Sequence, residues 1–218
     1  MPSFIPSTTE EVRRAYNENA SLYAVFEPVA EYLGLRRIRR RLLQKASGDV
    51  LEVAVGTGAN LHYYPTGCRL TAVDVSETML EHARNRAERI DRQIGFRRMD
   101  AEALDFSAGR FDTVVSTMTL CTFIHPVEAL REMSRVCTPG GKLLLMEHGR
   151  SRWGWLGRWQ DRREHQHAKQ VGCHWNREPL ELVQGAGLEV VRAQRHFFGI
   201  LHEIAAVPSR ASYGENAR

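Results

Sequence analysis

The chain has 218 residues, 43% of them hydrophobic, with 30 basic against 26 acidic side chains, a formal charge of +4 and an isoelectric point near 9.0. That is material for one α/β core with both sheet faces covered, and a charge excess too mild to require nucleic acid, though it tolerates acidic or membrane-surface partners. Four widely spaced cysteines without a CxxC pair exclude a zinc ribbon and a disulfide framework and fit a reducing cytoplasm; with no basic-then-apolar leader and no run of about 18 apolar residues, the expectation is a soluble protein, peripheral to a membrane at most.

Apolar runs of strand length alternate with longer segments of helical period, the pattern of a mostly parallel sheet with helices on both faces. In chain order the sequence predicts helices at 9–19 and 23–45, strands at 49–55 and 69–74, a helix at 76–90, strands at 94–98 and 111–117, and a helix at 126–136. A strand at 141–147, helices at 155–168 and 177–185, and a strand pair at 188–196 and 201–207 follow, the last strand antiparallel. Ser76 before Glu77 and Pro126 in a first turn are helix-start signals, and Pro139-Gly140-Gly141 reads as a turn before a strand. The expectation is one Rossmann-like α/β domain of seven strands over residues 1–207, with 208–218 a disordered tail.

The first strand runs into Gly56-Thr57-Gly58, where two glycines let the backbone turn tightly and approach a ligand without Cβ interference. Such a pair also serves as an ordinary strand-to-helix turn. Asp74 changes the balance: it closes the second strand, where a carboxylate can accept from both hydroxyls of a ribose. Dinucleotide enzymes place a third glycine where this chain has Leu61, which counts against an NAD-type oxidoreductase. Glu52, four residues before Gly56, suits a cationic cofactor with an amino acid tail, and S-adenosylmethionine, a sulfonium, is such a molecule.

Glu52, Gly56 and Gly58 meet the E-x-x-x-G-x-G pattern of the class I methyltransferases, and Asp74 stands where that family has its ribose carboxylate; the resemblance covers roughly residues 15–207. It implies S-adenosyl-L-methionine as cofactor and S-adenosyl-L-homocysteine as product, with Thr57 and Val75 beside the glycine turn and the carboxylate. It further implies Met79 against the adenine, Asp100 and Ala101 at its amino edge, and Thr117 with Met118 at the methionine portion. Residues 1–45 become a helical cap over the cofactor, and 150–176 a lid inserted on the acceptor side. The segments 58–68, Leu120-Cys121, Met146-Glu147-His148 and Gly172-Cys173 resemble the methyltransferase-like thiol S-methyltransferases of animal membranes. They are similar, less closely, to soluble bacterial phosphatidylethanolamine N-methyltransferases and to quinone C-methyltransferases of the UbiE type. The animal enzymes carry a hydrophobic N-terminal anchor, whereas this chain starts with a short polar segment, so any lipid association is expected to be peripheral.

Tyr16 and Tyr23 resemble the paired tyrosines that fold over the cofactor in quinone and lipid methyltransferases, and they could equally anchor a surface helix by burying their rings. Methyl transfer needs alignment more than a nucleophile, but a thiol or ammonium acceptor must lose a proton first. His148, at the mouth of the fifth strand, is the leading candidate base and His125 the second; both also read as ordinary loop histidines. Cys121 and Cys173 read as small buried apolar residues. The stretch from Glu164 to His174, with His165, His167 and Cys173, has no matching partner at zinc-ligand spacing, so no metal is expected.

Trp153, Trp155 and Trp159 among Arg150, Arg152, Arg158, Arg162 and Arg163 suit a lipid headgroup interface. Arg36, Arg37, Arg39, Arg40 and Arg41 form a second cluster that reads either as contact with an anionic membrane or as a solvated helix face. The leading reading is methyl transfer to a small lipophilic or thiol acceptor, a small molecule or a lipid; a phosphatidylethanolamine N-methyltransferase or a quinone-type C-methyltransferase is the enzyme rival. A catalytically silent cofactor-binding or membrane-surface module is the rival of another class.

Overall fold

The computed structural model describes residues 8–14, 16, 17 and 34–209. Residues 9–14 are helical, and the elements after them are α1 (Arg36–Leu43), β1 (Asp49–Val53), a single 3-10 turn (Leu61–Tyr63), β2 (Arg69–Asp74), α2 (Glu77–Arg89), β3 (Ile94–Arg98) and β4 (Phe111–Thr117). Then come α3 (Pro126–Val136), β5 (Cys137–His148), α4 (Gly154–Val171), α5 (Pro179–Gly185), β6 (Leu188–His196) and β7 (Leu201–Pro208). One seven-stranded sheet has the order β3-β2-β1-β4-β5-β7-β6. β1 to β5 pair in parallel, and β7 lies antiparallel between β5 and β6. This is the Rossmann-like seven-stranded arrangement expected from the sequence resemblance.

The period-2 rule shows why both faces are covered. In β5, Leu143 and Leu145 pack with Leu51, Val114, Leu130 and Val183, the layer formed with α3 and α5. Their neighbours Leu144 and Met146 point the other way, toward Val50, Val115 and the α1 residues Ile38, Leu42 and Leu43. α2 completes that second face through Leu80, Ala83 and Ala87 against Leu61 and Ala72. Ser76 caps α2 by accepting the Met79 N–H at 3.1 Å, and Pro126 opens α3.

Some boundaries differ from the sequence expectation for local reasons. β1 stops at Val53 because Ala54 takes a φ of 54° and turns the chain out of the sheet. The sequence reading places no helix between the first two strands; the structure has one 3-10 turn there, and Pro65, which cannot continue a helix, follows two residues after it. Pro139-Gly140-Gly141 does not precede β5 but lies inside it, where the pairing with β4 jumps from Phe111↔Cys137 to Thr113↔Lys142. Gly141 is obligatory there: a Cβ would sit 2.6 Å from Cys137 Sγ and 2.8 Å from the Asp112 carbonyl oxygen. β7 takes in Pro208, the first residue of the expected tail, and 210–218 lie outside the described residues.

Candidate functional site

β1 runs to β2 on one side and neighbours β4 on the other, so the sheet order reverses between β1 and β4, and the crevice at the carboxyl ends of such strands is where open α/β sheets bind ligands. A cavity of about 380 Å³ opens there, among Ala54, Gly56, Thr57, Asp74, Thr117 and Met118. Ala54 and Met118, at the ends of the two switch strands, both hold positive φ, 54° and 62°. The two glycines do different work. A Cβ on Gly56 would meet nothing within 4 Å, so this residue leaves cavity floor bare. A Cβ on Gly58 would meet Leu61 Cδ1 at 2.8 Å and Ala83 Cα at 3.2 Å; Gly58 lets α2 pack close and does not line the cavity.

Asp74 is buried at the cavity edge, accepting the backbone N–H groups of Gly56 and Ser76 at 2.9 Å each. Burial pushes its carboxyl up to about 6, against the pull of the Ser76, Gly56 and Val75 N–H groups. An ionised carboxylate offers roughly four acceptor positions, so it retains capacity for ligand hydroxyls. Glu52, expected at the cofactor, lies beneath the cavity and does not line it. Its oxygens accept from Asn60 Nδ2 at 2.7 Å and from the Tyr64 hydroxyl at 2.9 Å, and burial pushes it up to about 7. The acid of the motif therefore ties both ends of the 3-10 turn to β1.

Arg39 was missed by sequence reasoning, which placed it in a surface cluster. It is 5% exposed, lines the cavity, and its guanidinium donates to Asn60 Oδ1 and, at 3.1 Å, to Thr117 Oγ1. The signal was present: Leu35, Ile38, Arg39, Leu42 and Leu43 fall at helical spacing on one stripe, so this arginine occupies an apolar-face position. Arg36, Arg37 and Arg40 are exposed, and Arg41 pairs with the buried Glu203.

Val75, Met79, Asp100, Ala101 and Thr117 all line the cavity, as does Tyr16 from the N-terminal segment together with Thr9 and Val12. That segment is tied to α2: the Ser76 hydroxyl donates to Asn17 Oδ1 at 2.5 Å. Tyr23 lies outside the described residues. Glu102, also unforeseen, lines the cavity and accepts the His125 N–H at 2.7 Å, which uses His125 as the residue before α3.

His148 does not line this cavity. Its Nε2 is 3.2 Å from Cys173 Sγ, and both face a separate cavity with Trp159, His167 and Trp175. Contact with the Cys121 thiol, and then with the His148 ring, draws the Cys173 thiol down to about 5, while the same contact pushes Cys121 well up. Burial opposes protonation of His148, but Cys173 outweighs it and raises the ring. Glu147, entirely buried, accepts the N–H groups of Thr119 at 2.8 Å and Leu120 at 3.0 Å, fixing the loop after β4; burial pushes it up to about 7. Trp153, Trp155 and Trp159 are exposed along α4 and its approach, and Arg150 is paired with Asp161 at 2.9 Å. No helix among the described residues is long and apolar enough to cross a membrane.

A family described as methyltransferase domain matches residues 51–145, the stretch from β1 to β5. The chain is 30% identical over 207 residues to the mitochondrial methyltransferase OMS1 of Saccharomyces cerevisiae, covering 84% of this chain and 43% of that one. It is 35% identical over 141 residues to a phosphatidylethanolamine N-methyltransferase of Cereibacter sphaeroides, covering 64% of this chain and 68% of that one. It is 35% identical over 166 residues to the human thiol S-methyltransferase TMT1B, covering 70% and 66%. The chain thus spans from under half to about two thirds of the length of these relatives. Among solved structures, a SAM-dependent methyltransferase of Thermotoga maritima superposes with a TM-score of 0.69 at 22% identity, over 91% of this chain and 100% of that one, a likeness of fold. With the E-x-x-x-G-x-G turn and Asp74 set at the switch point of the same sheet, the chain belongs to the S-adenosylmethionine-dependent methyltransferase family.

Proposed function

We propose that the cavity between β1 and β4 binds S-adenosylmethionine and that the chain passes the methyl group to a small lipophilic acceptor, thiols included. The observation that carries this is the bare backbone at Gly56 beside the Asp74 carboxylate: a surface a Cβ would fill, next to an acceptor suited to two vicinal hydroxyls. When bound, the cofactor supplies a methyl on a cationic sulfur, which an acceptor lone pair displaces in line. Asp74 would hold the ribose, Met79 and Ala101 the adenine face and edge with Asp100, and the Arg39 guanidinium the carboxylate of the methionine tail beside Thr117. Asp74, Asp100 and Glu102 make the cavity wall acidic, which suits a cation.

Val12, Leu35, Met118, Phe123 and Ile124 give the rest of the wall an apolar surface, which favours a lipophilic acceptor and excludes water from the reacting atoms. Alignment and desolvation are what this wall contributes to the transfer, and a thiol acceptor would give up its proton to solvent before it enters, reacting as the thiolate. Calorimetric titration with S-adenosylhomocysteine and, separately, NAD tests the cofactor: the first should bind and the second should not, and the reverse would overturn the assignment. Incubation with labelled S-adenosylmethionine and a panel of alkyl and aryl thiols, quinols and phosphatidylethanolamine, read by mass spectrometry, tests the acceptor. Label on phosphatidylethanolamine alone would replace the acceptor class proposed.

A further inference from the structure

Three donors from distant parts of the chain converge behind the loop that follows β4. Cys121 Sγ, His148 Nε2 and Cys173 Sγ all lie within 4.8 Å of one another. Cys121 belongs to that loop, His148 ends β5, and Cys173 follows the left-handed Gly172 that terminates α4. None is placed by chance packing, because each supporting segment is tied to the others. Glu147 holds the loop through the N–H groups of Thr119 and Leu120. The His174 N–H donates to the Cys121 carbonyl at 2.9 Å. The Arg177 guanidinium caps the carbonyls of Leu120 and, at 2.8 Å, Phe123. The free side of the cluster opens into a cavity of about 420 Å³ that His148, Cys173 and His167 line together.

Two sulfurs and one imidazole nitrogen are the donor set of soft or borderline divalent cations, zinc before calcium or magnesium. Around a tetrahedral ion with metal–sulfur bonds of about 2.3 Å and metal–nitrogen bonds of about 2.0 Å, sulfurs stand about 3.8 Å apart and sulfur to nitrogen about 3.5 Å. The His148 Nε2–Cys173 Sγ separation is 3.2 Å and the other two are within 4.8 Å, spans that bracket these values. A buried thiol pair alone would need no imidazole, and an imidazole alone would need neither the two sulfurs nor three cross-ties. We propose that Cys121, His148 and Cys173 form a three-ligand site for a zinc-class divalent cation, its fourth position facing the second cavity. The ion would fasten the loop that supplies Met118, Thr119, Thr122 and Phe123 to the methyl-transfer cavity onto the segment after α4. It gives His148 the role of ligand in place of proton acceptor, and it revises the expectation that the chain holds no metal. The ligands escape spacing rules because no two of them are near neighbours in sequence.

The test uses the full chain, reduced and stripped with a chelator, titrated with Co²⁺. One equivalent should bind with a thiolate-to-cobalt charge-transfer band and the intense visible bands of tetrahedral cobalt, and Zn²⁺ should abolish both. Cys121→Ser and Cys173→Ser should each remove about half the charge-transfer intensity, and His148→Ala should shift the visible bands; His165→Ala, on the exposed side of α4, should change nothing. Zn²⁺ should raise the melting temperature of the parent chain more than that of either serine variant and leave that of the double serine variant unchanged, a readout independent of methyl transfer. Absence of the charge-transfer band in the reduced parent chain would overturn the proposal. So would its persistence in the double serine variant, or a Cys121–Cys173 disulfide whose reduction yields no metal binding.

Discussion

Asp74 joins two requirements at one carboxyl group: it holds the N–H groups of Gly56 and Ser76, and it faces the cavity. Asp74→Ala should therefore weaken S-adenosylhomocysteine binding by ~1.5–3 kcal/mol through the loss of charge-assisted hydrogen bonds. Because burial sets the group at about 6, the ionised form that accepts hydroxyls is lost as pH falls below that value, and affinity should decline between pH 7 and 5. Calorimetry across that range checks both, and an unchanged affinity at pH 5 would remove Asp74 from the ligand. Arg39 gives a sharper discrimination. Arg39→Met should reduce affinity for S-adenosylhomocysteine by about tenfold or more, as expected for a lost guanidinium–carboxylate pair, while leaving 5′-methylthioadenosine, which lacks the carboxylate, nearly unaffected. The family motif was legible because its glycines and its acid have fixed chain positions. Arg39 was not, since a buried arginine in an arginine-rich run looks like its exposed neighbours until the helical stripe is drawn. The Cys121, His148 and Cys173 cluster was illegible for a different reason: only the folded loop, strand end and post-helix turn bring the three together.

At the scale of elements, the turn between β1 and the 3-10 helix separates packing from binding. Gly58→Ala places a methyl against Leu61 and Ala83 at a φ of +82°, so it should cost roughly 1–3 kcal/mol in urea unfolding. Gly56→Ala meets no atom but takes a φ of +54°, so it should cost about 1 kcal/mol of backbone strain, less than Gly58→Ala, together with weaker cofactor binding. Equal losses of stability in the two variants would contradict this division. The strands and most helices were legible because their apolar residues repeat at 2 or 3.6, and the antiparallel end pair fits the short link between its strands. What escaped were places where one residue overrides the period. Ala54 ends β1 early, the 3-10 turn at Leu61–Tyr63 carries no period to read, and Pro139-Gly140-Gly141 is absorbed into β5 as an irregularity because Gly141 alone fits against Asp112.

Across the whole molecule, buried ionisable groups give opposing dependences on pH. Burial holds the Glu52 and Glu147 carboxyls at about 7, so the folded chain keeps protons that the unfolded chain has released. Their stabilising contribution is complete below the ordinary value of 4.5 and is lost as pH rises through 7. His202 acts in the other sense. Burial depresses it from 6.5 to about 4, so its contribution is complete above 6.5 and is lost as pH falls toward 4. Among the described residues its Nε2 has no hydrogen-bond partner, and its Nδ1 is 3.6 Å from Glu178. His202→Leu should therefore flatten the acid side of the stability profile between pH 6.5 and 4 in urea titrations, and an acid limb as steep as that of the parent chain would contradict the assignment.

The position of β7 bears on how the chain comes off the ribosome. It is the last strand among the described residues yet sits inside the sheet, between β5 and β6. Until residues 201–208 have emerged, β5 keeps one open edge and β6 has nothing to pair with, although the strands framing the cofactor crevice are already made. A nascent chain halted before Leu201 thus carries the whole glycine turn and Asp74 on an unfinished sheet, with Leu143, Leu145 and Val183 lacking the Ile204 and Ala206 that share their core layer. Exposed apolar surface and an unpaired edge make that intermediate prone to association, so a charged substitution at Ile204 should lower the refolding yield more than one of equal size at the exposed Arg97 of β3, as refolding from urea would measure.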